Sequence, residues 1–214
     1  MRALDLVVVG GGGHAREVFW LASQSNQSFR LLGFLDDARV DEPTVNGVKH
    51  LGAVERCIDY AHASFVVAVG APRVRRDLVQ RLQSCGIERF ATLIHPSATI
   101  GSGVSIGAGS QICAGVRITT DVHIGDHVIV NQNCTIAHDC HIANLVTLAP
   151  MVALSGNVHM EDGAEMGTGA VVHQGVTARR GAAAGMGTVV LKDIDADELV
   201  IGNPARRLRT QATF

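Results

Sequence analysis

Ile100-Gly101-Ser102-Gly103-Val104-Ser105-Ile106-Gly107-Ala108-Gly109-Ser110-Gln111-Ile112 opens a run in which every sixth residue is apolar. The register continues without a slip through Ile118, Ile124, Val130, Ile136, Ile142, Leu148, Leu154, Met160, Met166, Val172, Ala178 and Ala184 to Val190. Four residues after each stands a second set, from Val104 and Ser110 to Ala182 and Thr188, nearly all small or β-branched. Both sets are expected to point inward. A period of six fits neither the 3.6 of a helix nor the alternation of an ordinary strand. It does fit a coil of three short parallel strands in which residues eighteen apart stack directly. About five such coils, roughly 4.8 Å apart, make a triangular prism on the order of 25 Å long. Cys134 and Cys140 fall on inward positions, where a thiol serves as a compact hydrophobe.

The first half of the chain has a different grammar. Leu6-Val7-Val8-Val9 reads as a buried strand and runs into Gly10-Gly11-Gly12-Gly13-His14, after which Val18, Phe19, Leu21 and Ala22 mark one face of a helix. Leu31 to Leu35 gives a second strand ending in Asp36 and Asp37, and Phe65 to Val69 a third ending in Gly70. The order strand, helix, strand, helix, strand, helix predicts a Rossmann-like parallel sheet, with ligands bound at the strand C-termini. A glycine turn lets backbone N–H groups approach a phosphate closely. Gly12, Gly13, His14, Asp36, Asp37 and Gly70 are therefore the candidate substrate-binding residues. The carboxylates would meet hydroxyl or base donors of a nucleotide, leaving the glycine turn for its diphosphate.

Composition narrows the field. Across 214 residues, 18 Lys and Arg face 20 Asp and Glu, a net charge of −2, and aromatic residues make up 4%. No basic stripe or stacking platform for nucleic acid results. The sequence has no apolar run of eighteen residues and no leader pattern before the first strand, so a cytoplasmic protein without membrane insertion is expected. Five cysteines, an odd number without a framework spacing, point to free thiols. The expected organisation is a Rossmann-like nucleotide-binding domain over 1–91, a β-helix over 92–190 and a tail over 191–214 that caps the open end of the prism.

Across nearly its whole length the chain resembles a known family. The motifs are the glycine turn with His14, Phe34-Leu35-Asp36-Asp37, and His95-Pro96-Ser97-Ala98. Asn131, Ala137-His138-Asp139-Cys140, Ser155-Gly156-Asn157 and Val200-Ile201-Gly202-Asn203-Pro204-Ala205-Arg206 complete them. Together they are similar to the hexapeptide-repeat sialic acid O-acetyltransferases and nucleotide-sugar N-acetyltransferases. The resemblance implies a left-handed coil, acetyl-CoA as co-substrate, no metal, and a homotrimer with active sites between subunits. It assigns His138 as general base, Asp139 as the carboxylate that supports it, and Asn131 as a supporting residue. It assigns acetyl-CoA contacts to Thr147, Gly156, Thr168 and Met186, with Gly167, Gly185 and Gly187 giving backbone access. Thr147 stands where many relatives have a second histidine, and Met151 where a glycine is usual.

The chemistry suits these residue types. An amine or hydroxyl attacking a thioester loses a proton, which an imidazole accepts near pH 7, and an adjacent carboxylate stabilises the resulting cation. His138 and Asp139 are consecutive, so the dyad requires a bend at a prism vertex. Gly156 follows His138 by eighteen residues and is expected directly beneath it, leaving a gap for the thioester and an N–H for the oxyanion. No side chain is placed to carry the acyl group, so direct transfer is expected.

Three other readings stay open. The first is O-acetylation of sialic acid or another sugar. The second starts from His123, His141 and His159, spaced by eighteen, which form an outward column that could stack, line an interface or bind a metal as in β-helix carbonic anhydrases. A straight ladder converges poorly on a point about 2 Å from each ligand. The third is a trimeric assembly subunit without catalysis. The expected function is N-acetylation of a nucleotide-linked amino sugar, with a 4-amino group for bacterial surface glycans.

Overall fold

The computed structural model describes residues 3–38 and 44–214, which form two compact units, Met1–Pro96 and Ser97–Phe214. Residues 191–214 belong to the second unit.

In the first unit β1 (Leu4–Val9), α1 (Gly13–Gln24), β2 (Phe29–Leu35), β3 (Thr44–Val45), β4 (Val48–Gly52), a 3-10 helix (Val54–Tyr60), β5 (Ser64–Val67) and α2 (Pro72–Ser84) follow in order. The sheet runs β3-β4-β2-β1-β5, parallel except for the β3–β4 hairpin. β1 lies inside the sheet, which is why Leu6 to Val9 are all buried and read as an unbroken apolar run. Val7, Val9, Leu35, Phe65 and Val67 share one core with Val79 and Leu82 of α2. α1 buries Ala15, Val18, Phe19, Leu21 and Ala22, the stripe its spacing predicts. Gly33 allows β4 to pair closely, since a Cβ there would come within 2.5 Å of the Lys49 carbonyl.

The second unit is a left-handed parallel β-helix. One two-residue strand recurs every six residues from Thr99–Ile100 to Val189–Val190, and each as far as Val171–Val172 pairs in parallel with the strand eighteen residues on. Three faces result. The first runs from Thr99–Ile100 to Val189–Val190, the second from Ser105–Ile106 to Thr177–Ala178, and the third includes Gln111–Ile112 to Ala183–Ala184. The third face continues through Glu198–Ile201 and its antiparallel partner Arg206–Thr210. Ile112, Ile124, Val130, Ile142, Leu148, Met160 and Met166 are fully buried, as are Val116, Val128, Cys134 and Val146 of the second set. Each such aliphatic side chain contributes about 1.5–3 kcal/mol through burial. Inward pointing does not mean burial in the first coil. Ile100 is 40% exposed and Ile106 half-buried, because both lie on edge strands with a β-neighbour on one side only.

A second phase of six accompanies the apolar one. The backbone enters the left-handed region at Gly103, Gly109, Gly115, Asp121, His127, Asn133, Asp139, Leu145, Met151, Asn157, Gly163, Gly169, Gly175, Gly181 and Gly187. Each turns the chain round a vertex. Glycine, Asn and Asp tolerate this conformation best, and they fill all but three of these positions. At one vertex the turns are also joined by a side-chain ladder. Asp126 Oδ1 accepts the Ala108 N–H (2.7 Å), Asn144 Oδ1 the Asp126 N–H (2.8 Å) and Asp162 Oδ1 the Asn144 N–H (2.9 Å).

No helix among the described residues is long and apolar enough to cross a membrane.

Candidate active site

The vertex between the first and second faces carries residues 137–140. Asp139 takes the left-handed conformation (φ 60°) that the repeat demands there. That bend brings two consecutive side chains to the same side, and His138 Nδ1 lies 2.8 Å from Asp139 Oδ2. Both are largely exposed. The vertex is fixed by backbone bonds: the Asn157 N–H donates to the His138 carbonyl (2.8 Å), the Asp139 N–H to the Thr120 carbonyl (3.3 Å) and the Gly175 N–H to the Gly156 carbonyl (3.0 Å). With Nδ1–H donating to the carboxylate, the Nε2 lone pair is free to accept a proton from a nucleophile.

Gly156 does lie beneath His138, but the expected gap is already filled. A Cβ on Gly156 would stand 2.6 Å from His138 Cε1 and 2.8 Å from Nε2, so the missing side chain makes room for the imidazole itself rather than for a thioester. Cys140, next in sequence, points into the core with its Sγ 3.2 Å from the Ser155 carbonyl, and burial raises its pKa. Cys134 is likewise buried and pushed up to about 11, chiefly by desolvation, so both thiols are protonated at neutral pH and neither serves as an acyl carrier.

Apart from Gly156, the candidate acetyl-CoA contacts lie elsewhere on the prism. Thr147 is buried on the third face, whereas Thr168 and Met186 are exposed on the vertex between the third and first faces, Met186 to 80%. Asn131 sits on that same vertex, buried, and its Nδ2 donates to the Leu148 carbonyl (2.9 Å). A single chain therefore does not bring these residues to His138. Met151, also on that vertex, is 64% exposed in a left-handed conformation (φ 64°) that a glycine would adopt without strain.

The tail forms a cavity of about 420 Å³ whose lining includes Lys192, Asp193, Pro204, Arg206 and Arg207. His123, His141 and His159 form an outward stack, with ring centroids 4.7 Å and 6.3 Å apart. Among the described residues no group of His, Cys, Asp and Glu converges as a metal-binding set.

In the first unit the glycine turn and the strand ends meet as two adjoining hollows. Gly11, Gly12 and Gly13 line one of about 280 Å³ with Arg16, Thr44, Val45 and Asn46. Gly12 caps α1 without a side-chain partner, and the first turn carries no acidic residue, an arrangement suited to an anion. Arg16 was not singled out from sequence, although a cation one turn into the helix after a glycine turn is a readable signal. His14 is mostly buried beside Glu17 (3.4 Å).

The second hollow, about 200 Å³, is lined by Val9, Gly10, Leu35, Asp36, Asp37, Ala38, Val54, Val69, Val74 and Leu78. Asp36 and Asp37 do not project together as a pair. Asp36 Oδ2 accepts the Gly11 N–H (2.5 Å) and Oδ1 the Ala38 N–H (2.8 Å), so this carboxylate shapes the glycine turn while its remaining lone pairs border the hollow. Asp37 accepts the Val54 N–H (2.8 Å) and pairs with Arg81 (2.9 Å), which also pairs with Glu55. The Val54 hydrogen bond foremost, then Arg81, holds the Asp37 carboxyl below its usual range. Asp37 thereby also fastens the 3-10 helix to α2, while its side chain borders the second hollow. Gly70, half-buried, has open space where a Cβ would stand.

Residues 5–82 match the family described as the PglD N-terminal domain. No curated protein sequence matches the chain. Among solved structures, the acetyltransferase domain of PglB from Neisseria gonorrhoeae FA1090 is 34% identical over 95% of this chain and 99% of that one, with a TM-score of 0.87. That domain is also known in complex with acetyl coenzyme A. PerB from Caulobacter crescentus, in complex with CoA and GDP-perosamine, is 32% identical over 96% and 97% of the two chains (TM-score 0.87). WeeI from Acinetobacter baumannii AYE is 32% identical over 96% and 100% (TM-score 0.84). With identity above 30% over nearly the whole of each compared chain, a glycine-turn domain and a His-Asp dyad on a hexapeptide prism, this chain belongs to the nucleotide-sugar N-acetyltransferase family.

Proposed function

We propose that this protein transfers the acetyl group of acetyl-CoA to the amine of a nucleotide-linked amino sugar, a 4-amino sugar destined for bacterial surface glycans. The dyad geometry carries this reading: His138 Nδ1 lies 2.8 Å from Asp139, which leaves Nε2, over Gly156, as the base. The amine attacks the thioester carbonyl and its proton passes to Nε2. Asp139 stabilises the imidazolium, and the collapsing tetrahedral intermediate expels CoA thiolate, which recovers the proton. The Gly156 N–H has no hydrogen-bond partner among the described residues and is the candidate oxyanion donor. Because Thr147, Thr168 and Met186 lie away from the His138 vertex, we assign them to the neighbouring subunit's half of a site shared in a homotrimer. Gly12, Gly13, His14, Asp36, Asp37 and Gly70 hold the nucleotide, with Arg16 facing its diphosphate. The nucleotide-sugar acceptor and the co-substrate both belong to the cytoplasm.

Purified protein incubated with acetyl-CoA and UDP-, GDP- and dTDP-linked amino sugars should release CoA and yield an N-acetylated product by mass spectrometry. Acetylation confined to hydroxyls, as on free sialic acid, would replace this reading with O-transfer. Absence of any transfer, with bicarbonate formation or trimerisation alone, would end it. His138→Ala should lower kcat by about a hundredfold or more while the oligomer persists in sedimentation.

A further inference from the structure

Arg75, in the first turn of α2, is 0% exposed. Enclosing a guanidinium is costly unless its donors are well used. Here Nη1 donates to two consecutive carbonyls, those of Val69 and Gly70, at 2.7 Å each. These residues form the turn that follows β5. In a trans peptide the carbonyl and the next N–H point in opposite directions, so Arg75 also fixes the direction of the Gly70 and Ala71 N–H groups, away from the guanidinium.

The turn held in this way is part of the wall of the second strand-end hollow. Val69 lines the 200 Å³ cavity together with Leu35 and Asp36. The glycine turn leans on the same segment: a Cβ on Gly10 would meet the Ala68 carbonyl at 3.0 Å and Val69 Cγ2 at 3.2 Å. Displacing residues 68–70 would therefore disturb both the cavity and the glycine turn. The buried cation also adds positive potential near a site that takes an anion.

We infer that Arg75 is a positioning residue for the nucleoside diphosphate half of the substrate, acting through the Val69 and Gly70 peptides rather than by contact. This rests on the nucleotide-sugar reading above.

Titration calorimetry with UDP, GDP and dTDP identifies the diphosphate that the wild type binds, and Arg75→Met should bind it about tenfold more weakly. Arg75→Lys should recover part of the loss, and the KM for acetyl-CoA should stay within about twofold in both variants. Unchanged diphosphate binding, or an equal loss toward acetyl-CoA, would overturn the assignment. Should neither variant fold, hydrogen exchange on the wild type decides. Adding the diphosphate should slow exchange at residues 68–72 together with residues 10–14. Slowing at 10–14 alone removes the role of Arg75 and leaves the nucleotide reading standing. Slowing at neither, with any of the three diphosphates, removes both.

Discussion

His138 rests on Gly156: the imidazole occupies the volume that a Cβ would need, at 2.6 Å from Cε1. Gly156→Ala should therefore push the ring aside without unfolding the prism, because the obstructing atoms are the free end of one side chain. Misplacing a base by about 1 Å costs on the order of a hundredfold in rate. The expected result is a kcat loss of that size with an unchanged thermal midpoint. Full activity in Gly156→Ala would show that the ring position is unimportant.

Asp139 has two duties that substitution can separate. Asp139→Gly keeps the left-handed turn and removes the carboxylate, whereas Asp139→Ala removes the carboxylate and strains the turn by about 1 kcal/mol. If the carboxylate supports catalysis, both variants lose kcat by about ten- to a hundredfold, and only the alanine variant melts earlier. A glycine variant with wild-type kcat would make Asp139 a turn residue only.

Three stacked imidazoles make the prism acid-sensitive. Burial first, then His123 and His159, lower the pKa of His141, while Asp162 opposes them. The unfolded chain therefore takes up this proton before the folded one does as pH falls. The stabilisation is complete above the ordinary imidazole range and is lost as pH drops through the lowered value. Thermal melts between pH 7.5 and 5 should show a decline that is shallower in His141→Asn. Parallel curves for the two proteins would exclude the stack as its source.

The Asp126–Asn144–Asp162 ladder should contribute to stability one bond at a time. Asn144→Ala leaves the Asp126 N–H to water and should cost about 1 kcal/mol in denaturant unfolding, with kcat unaffected. A loss of several kcal/mol would mean that the vertex, rather than a single bond, had opened.

The prism was legible because eighteen residues bring identical chemistry back to the same face, and Ile112 to Val190 repeat it coil after coil. The pairing of His138 with Gly156 was legible for the same reason, as a matter of arithmetic. What the arithmetic lacked was volume: spacing says that two residues stack, not which one fills the space between them. The first coil escaped the rule because Ile100 keeps its register while lacking a neighbouring coil on one side. In the front unit the strand ends were readable from Val7, Leu35 and Val67, but the directions of Asp36 and Asp37 were not. Those depend on which N–H groups and cations the fold brings near, and Val54 and Arg81 come from distant segments. Arg16 and Arg75 were missed because each reads as an ordinary charged helix residue until its surroundings are known.

The left-handed position that recurs every six residues assigns each vertex residue an address made of a coil and a corner. The apolar register tolerates exchange of one coil for another, since all coils fill the same interior. The dyad does not, because it needs a turn-tolerant carboxylate at its own corner and an empty Cα on the coil below. Duplication or loss of a whole eighteen-residue coil beyond residue 175 would leave the base intact. The same change between residues 139 and 156 would leave a folded prism with the base seated on a different floor.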